Sequence, residues 1–265
     1  MEYLGSLGRL VPFRCASSER TGAGDRHVES FTVEGVRRVQ VVPSRPRTWD
    51  VSWGARDGGE LAKLEAFASG AWGFGPWHWV SVAAQSGNLL TPRESLLLDR
   101  ASVSVSYVQD AGAVRDSDGN WSPRSVTVSL ASGWVALARG VPVLSGEAFT
   151  FSCDVEGSNP QVHVRFEDAA GGVVADVIQA GSGTSMQRVS WSGVVPAGAV
   201  SATVGVRSSA TRATRPQATW TAGPVPWSVG HGCRSAVVDG VSSDLLVVNS
   251  GGPLSGVGFT VLEVA

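Results

Sequence analysis

The chain has 265 residues, 43% of them hydrophobic and only 17% charged, with 33 glycines and 13 prolines. That balance allows packed cores, excludes wholesale disorder, and favours strands and tight turns over helices. A net charge of −2 with no basic block argues against nucleic acid as a partner, and no run of about 20 apolar residues exists to span a membrane as a helix.

The N-terminus, MEYLGSLGRLVPF, has no basic segment followed by a long apolar core, so no signal peptide is read there and synthesis in the cytoplasm is expected. Short strands are expected at residues 11–14 and 31–33, and stronger ones at 39–42 and 48–53. In the last of these, Trp49, Val51 and Trp53 alternate with Asp50 and Ser52, the period of a half-buried strand. Asp57 can then cap a helix, with Glu60 three residues on as a capping box asks. Leu61, Leu64, Phe67 and Ala68 form its apolar stripe and Gly70 its stop. Leu61, Leu64 and Phe67 are expected to pack on the sheet that carries Trp49 and Trp53. A turn-rich aromatic segment, GAWGFGPWHW, leads into a strand at 77–82 and then to Asn88-Leu89-Leu90-Thr91-Pro92. Residues 1–95 thus read as a small α+β domain with one packed helix.

From residue 96 onward helical periodicity disappears. Candidate strands lie at 103–108, 125–130, 148–155, 162–167, 173–178, 188–191, 202–206, 218–221, 236–238, 245–248 and 259–264. Turns such as Asp118-Gly119-Asn120, Ser158-Asn159-Pro160 and Pro196-Ala197-Gly198 separate them. Short strands at a spacing of about ten residues predict a β-sandwich or jelly roll over residues 96–265. Val162, Val164 and Phe166 share one face, with His163 and Arg165 on the other, so His163 is expected in solvent. Cys153, alternating with Phe149 and Phe151, reads as a buried thiol.

Chemical motifs are scarce. The four histidines lie in separate segments, and no cysteine pair has metal-site spacing. No nucleophile elbow, phosphate-binding loop or metalloprotease helix occurs. The Asp116–Asn120 stretch has the look of a calcium loop, but its glycine comes too early and a hairpin turn is the better reading. Glu167 and Asp168 are adjacent on a strand end and face opposite ways. These readings predict no enzyme, no metal and no cofactor. What remains is aromatic: ten tryptophans. Most suit a core or a sheet cover, since large aromatics are usually buried. Trp121 and Trp227, with His231 close to Trp227 in sequence, are the candidates for an exposed sugar-stacking platform.

Tyr3-Leu4-Gly5, the Trp49–Trp53 strand, the helix ending at Phe67, Gly73-Phe74-Gly75-Pro76 and Asn88-Leu89-Leu90-Thr91-Pro92 occur in an order that resembles the N-terminal domain of minor tail proteins of long-tailed actinobacterial bacteriophages, related to distal tail proteins. The stretch from Val141 to Ser152, Arg165 to Gly171, Val189-Ser190-Trp191 and Pro196 to Ala199 resembles jelly-roll modules of carbohydrate-binding and galectin-like type. The resemblance implies a virion protein of the tail tip. It would form a closed, hexameric ring and contact the tail tube protein, the tail hub or baseplate, and receptor-binding proteins. The alternative it implies is a lectin-like module that contacts host cell-surface or cell-wall glycans.

Overall fold

A computed structural model describes residues 1–23, 27–31, 37–41, 46–98, 108–129, 133–207, 209–249 and 252–264. In chain order the elements are β1 (Glu2–Ser6), β2 (Arg9–Phe13), β3 (Ser18–Ala23), β4 (His27–Phe31), β5 (Arg37–Val41), β6 (Arg47–Asp57), α1 (Gly58–Ala68), β7 (Trp77–Val80), α2 (Val82–Ser86) and α3 (Pro92–Ser95). They continue with β8 (Val108–Arg115), β9 (Trp121–Val128), β10 (Trp134–Pro142), β11 (Ala148–Gly157), β12 (Gln161–Glu167), β13 (Val173–Ala180), β14 (Gln187–Val194), β15 (Ser201–Arg207), β16 (Ala210–Thr219), β17 (Cys233–Asn249) and β18 (Gly252–Glu263). The mainly β class matches expectation, and two short helices join the expected one. The strand expected at 103–108 falls outside the described residues except for Val108.

The chain divides differently from the expected seam at residue 95. One compact unit holds residues 1–5, 11–79 and 234–265; the other holds 6–10 and 80–233. The last two strands therefore leave the sandwich and return to the N-terminal unit. The reason is pairing: β18 lies between β17 and β6 in a seven-stranded sheet ordered β2-β1-β7-β17-β18-β6-β3. Local alternation could identify 259–264 as a strand but not the sheet it joins.

In that first unit Trp49, Val51 and Trp53 sit opposite Val261, Phe259 and Val257, and all six are buried. Helix α1 covers this face. Of the expected apolar stripe, Leu64 and Phe67 are buried, Leu61 is half-buried and Ala68 is exposed. Phe13 stacks on Trp53 with ring centroids 5.2 Å apart, and Phe259 meets Trp53 edge-on at 4.7 Å. Each such buried side chain contributes about 2–3 kcal/mol of apolar transfer. Gly70 ends the helix at φ +75°, the left-handed stop that glycine adopts freely. The Asp57 side chain lies outside the described set. Glu60 accepts a hydrogen bond from the Arg14 backbone amide at 3.3 Å, tying the helix start to the end of β2.

The second unit is a sandwich of two antiparallel sheets, β10-β15-β12-β13 and β14-β11-β16-β9-β8. Phe149, Phe151, Cys153 and Val155 of β11 supply one side of its core, and Val162, Val164, Phe166, Val204 and Val206 the other; all are buried. Phe166 contacts Phe149 and Trp191 edge-on at 5.8 and 5.6 Å. Burial raises the Cys153 thiol to about 12, so it is an inert core group.

The opposite face of the five-stranded sheet is polar and is covered by two straps, residues 81–98 and 221–232. Asn88 is their rivet. Its amide donates to the carbonyls of Pro216 and Ser228 at 3.4 and 2.9 Å and accepts from the amides of Leu90 and Ala218, both at 3.1 Å. Thr91 and Glu94 cap α3 reciprocally, with Pro92 in its first turn. The Asn-Leu-Leu-Thr-Pro motif, expected in the N-terminal domain, thus belongs to the sandwich unit.

Candidate functional site

Strand pairing places one set of side chains on the outer face of the four-stranded sheet. On β12, His163 and Arg165 are two residues apart and point away from the core that Val162, Val164 and Phe166 enter. His163 pairs with Ile178 of β13 and Gly205 of β15; Arg165 pairs with Asp176 and Thr203. On β10, Ala136 lies opposite Gly205 and Trp134 opposite Arg207, which puts Trp134 on the same face. A side chain at Gly205 would run into the Val135 carbonyl, so glycine is what lets β10 approach here.

The result is a compact cluster. The Trp134 ring lies 4.1 Å from the His163 ring, and the Arg165 guanidinium lies 4.9 Å from the Trp134 centroid. His163 Nε2 pairs with Asp176 Oδ1, and Arg165 Nη2 donates to Asp176 Oδ2 at 3.1 Å. The His163 side chain is only 2% exposed, whereas those of Arg165 and Asp176 are 32% and 41% exposed. The expectation of a solvated His163 is therefore corrected. The residue does face outward from its sheet, but Trp134, brought over from another strand, roofs it.

Burial lowers the His163 pKa, and the Asp176 carboxylate restores only part of that shift. Burial alone would raise Asp176, but hydrogen bonds from His163 and Arg165 outweigh it and hold the carboxyl below its usual value. The imidazole is therefore neutral near pH 7. A neutral ring bonded to a carboxylate through Nε2 carries its proton there, which leaves Nδ1 as an acceptor. Among the described residues, His163 Nδ1 and Arg165 Nε, an acceptor and a donor, are both buried and have no hydrogen-bond partner.

The densest charge lies elsewhere, on the strap-covered face of the other sheet. A register shift in β16 between the partners of Ser152 and Asp154 forms a bulge at Arg215-Pro216, and Arg215 takes the left-handed conformation at φ +50°. Bulges re-aim side chains and accommodate proline within a sheet. Arg215 reaches three carboxylates: Asp154 through Nε at 2.5 Å, Asp116 through Nη1 at 2.6 Å and Asp118 through Nη2 at 2.8 Å. Arg188 donates to Asp154, the Arg215 carbonyl, Ser152 and Gln217. Asp116 also accepts from the amides of Asp118 and Asn120, both at 2.9 Å, in a hairpin turn as expected. Its acids serve arginine, and among the described residues no group of three or more His, Cys, Asp or Glu is arranged to hold a metal.

The three residues expected to form a stacking platform have separate partners. Trp121 is 65% exposed on β9, with the Arg115 guanidinium 4.9 Å over its ring. Trp227 is half-buried, with the Arg215 guanidinium 5.9 Å from its ring centroid, and lines a shallow cleft with Leu97, Pro123 and Thr214. His231 is exposed, and its backbone amide donates to the Asn88 carbonyl at 2.9 Å. Trp134, Arg165 and Asp176 were not singled out from sequence. The available signal was the two-residue spacing of His163 and Arg165 on a strand whose other face is apolar.

No protein-family model and no curated protein matches the chain. Among solved structures, the enzymatically active domain of tailspike protein 4 of bacteriophage CBA120 is similar, with a TM-score of 0.39 and 14% identity over 51% of this chain. The similarity spans 21% of that protein's chain. Beside a neighbour described as enzymatically active, the expectation that this chain is no enzyme is withdrawn. Motif searches find catalytic groups at fixed spacings, and groups gathered from separate strands leave no such trace.

Proposed function

We propose that the chain is a structural component of a phage tail tip. Copies form a ring that connects the tail tube to the baseplate or to receptor-binding proteins. The sequence resemblance supports this reading, and one observation carries it. In the β17–β18 hairpin, Leu245, Leu246 and Val248 are 64%, 55% and 71% exposed. Leu245 and Leu246 are consecutive, so both faces of the arm are apolar.

The other neighbour of β17 is β7, four residues long against seventeen. Most of that edge therefore has no strand partner among the described residues. A free, apolar strand edge is an aggregation hazard in a monomer and an interface in an assembly. A second copy of this chain, adding a strand to the edge, would bury it, and repetition of one such heterologous contact closes a ring.

The test replaces Leu245, Leu246 and Val248 together by Asp and compares sedimentation of the full chain with wild type. The variant should remain folded and sediment as a single copy while wild type sediments as an oligomer. Unchanged oligomers from the variant would remove the arm from the interface.

A further inference from the structure

We infer that Trp134, His163, Arg165, Asp176 and Arg207 form an acid-operated latch on the outer face of the four-stranded sheet. A proton taken up by His163 drives the Trp134 indole off the imidazole and exposes both rings. The device lies within the sandwich unit and does not depend on how copies of the chain assemble.

The geometry of the cluster sets the direction. The neutral imidazole gives its one proton to Asp176 through Nε2, so a second proton must go to Nδ1. Among the described residues Nδ1 is buried and has no hydrogen-bond partner, so the new N–H meets no acceptor while the indole stays in place. The surrounding charges are mostly positive. β12 itself supplies Arg165, β15 supplies Arg207 opposite Trp134, and β13 supplies Asp176, which Arg165 already engages at 3.1 Å. β10 contributes the uncharged Trp134, its ring 4.1 Å from the imidazole and already carrying the Arg165 guanidinium at 4.9 Å. A charged imidazole would be a second cation on one indole and a third in the cluster.

Burial, the largest influence, holds His163 below its ordinary 6.5; the Asp176 bond opposes that shift, and the Arg207 and Arg165 charges add to it. A proton is therefore bound more tightly once the indole has swung out and water reaches Nδ1. The closed form is favoured above pH 6.5, and the open fraction grows by at most about tenfold for each pH unit below it. Trp134 is free to move in this way because it is half-buried, opens β10, and follows Gly133 at φ +90°.

The test labels the full chain with 5-fluorotryptophan and follows its ten fluorine resonances from pH 8 to pH 4. Trp134 is assigned as the resonance lost in Trp134→Phe. Its H2O/D2O isotope shift, which reads exposure to solvent, should at least double in acid through a one-proton transition centred below pH 6.5. Far-ultraviolet circular dichroism should stay unchanged through that transition. His163→Gln keeps a donor for Asp176 but takes up no proton, and should abolish the transition. Asp176→Asn should move its midpoint down and Arg207→Gln should move it up, since one removes an attracting charge and the other a repelling one. Should His163→Gln fail to fold, these two midpoints decide, and midpoints that do not separate overturn the proposal. So does a Trp134 isotope shift that stays constant to pH 4, a transition that survives in His163→Gln, or exposure that comes only with loss of the far-ultraviolet signal.

Discussion

Replacing Arg215 by Met removes the hub of the buried charge cluster and leaves its carboxylates in place. Asp154 is fully buried and the Asp116 side chain is 3% exposed, so neither can turn to water. Removing one partner of a buried ion pair costs about 3–5 kcal/mol, because the other charge stays behind uncompensated. Here Asp154 keeps Arg188 at 3.2 Å and the Ser117 hydroxyl at 3.1 Å, and Asp116 keeps two backbone amides. That places the expected loss near the lower end, about 3 kcal/mol, or a fall of about 6–12 °C in Tm for a unit of this size. Arg215→Lys keeps the charge but not the fork that spans three carboxylates, and should recover only part of the loss. Urea unfolding followed by near-ultraviolet circular dichroism reads both variants, and the loss should persist in high salt because buried pairs are poorly screened. A loss below about 1 kcal/mol, the worth of an exposed pair, would refute the claim that this cluster organises the strap-covered face.

Two further outcomes follow from single side chains. Glu19 is half-buried on β3, and burial first and the Glu2 charge second raise its carboxyl to about 7 from 4.5. The folded state thus holds this proton more tightly than the unfolded one. The stabilising contribution is complete below pH 4.5 and is lost as pH rises through 7. Discounted for solvent screening, Glu19→Gln should exceed wild type by about 1–2 kcal/mol at pH 8 and match it near pH 4. Parallel melts across that range check it, and a difference that does not change with pH would contradict it. Asn88→Ala strands two backbone amides and two carbonyls and should cost about 2–4 kcal/mol by urea denaturation. A near-neutral result there would show that the straps are held by other contacts.

The parts of the fold legible in the sequence were those set by local pattern. Trp49, Val51 and Trp53 alternate and form the inner face of β6; Leu64 and Phe67 recur at helical spacing and form the buried face of α1; Gly70 stops that helix. The illegible parts depended on pairing between distant segments. Residues 236–238 and 245–248 looked like two strands and are one, since the intervening polar residues continue the ladder with β18. Nothing local in Phe259 says that it will meet Trp53, about 200 residues earlier in the chain. The same limit hid the side-chain cluster on the outer face of the four-stranded sheet. The alternation of β12 placed His163 on the outer face, yet its burial depends on Trp134, which reaches it only through the order β10-β15-β12. Pro216 inside a strand was a local mark of the Arg215 bulge, because proline in a sheet interior signals irregular pairing.

The most direct test of the tail-ring account is the state of the purified full chain in solution, by light scattering for mass and electron microscopy for shape. The account predicts a closed ring of identical copies with a lumen, its mass a fixed multiple of one chain and independent of concentration over the micromolar range. A stable single copy at every concentration would contradict it.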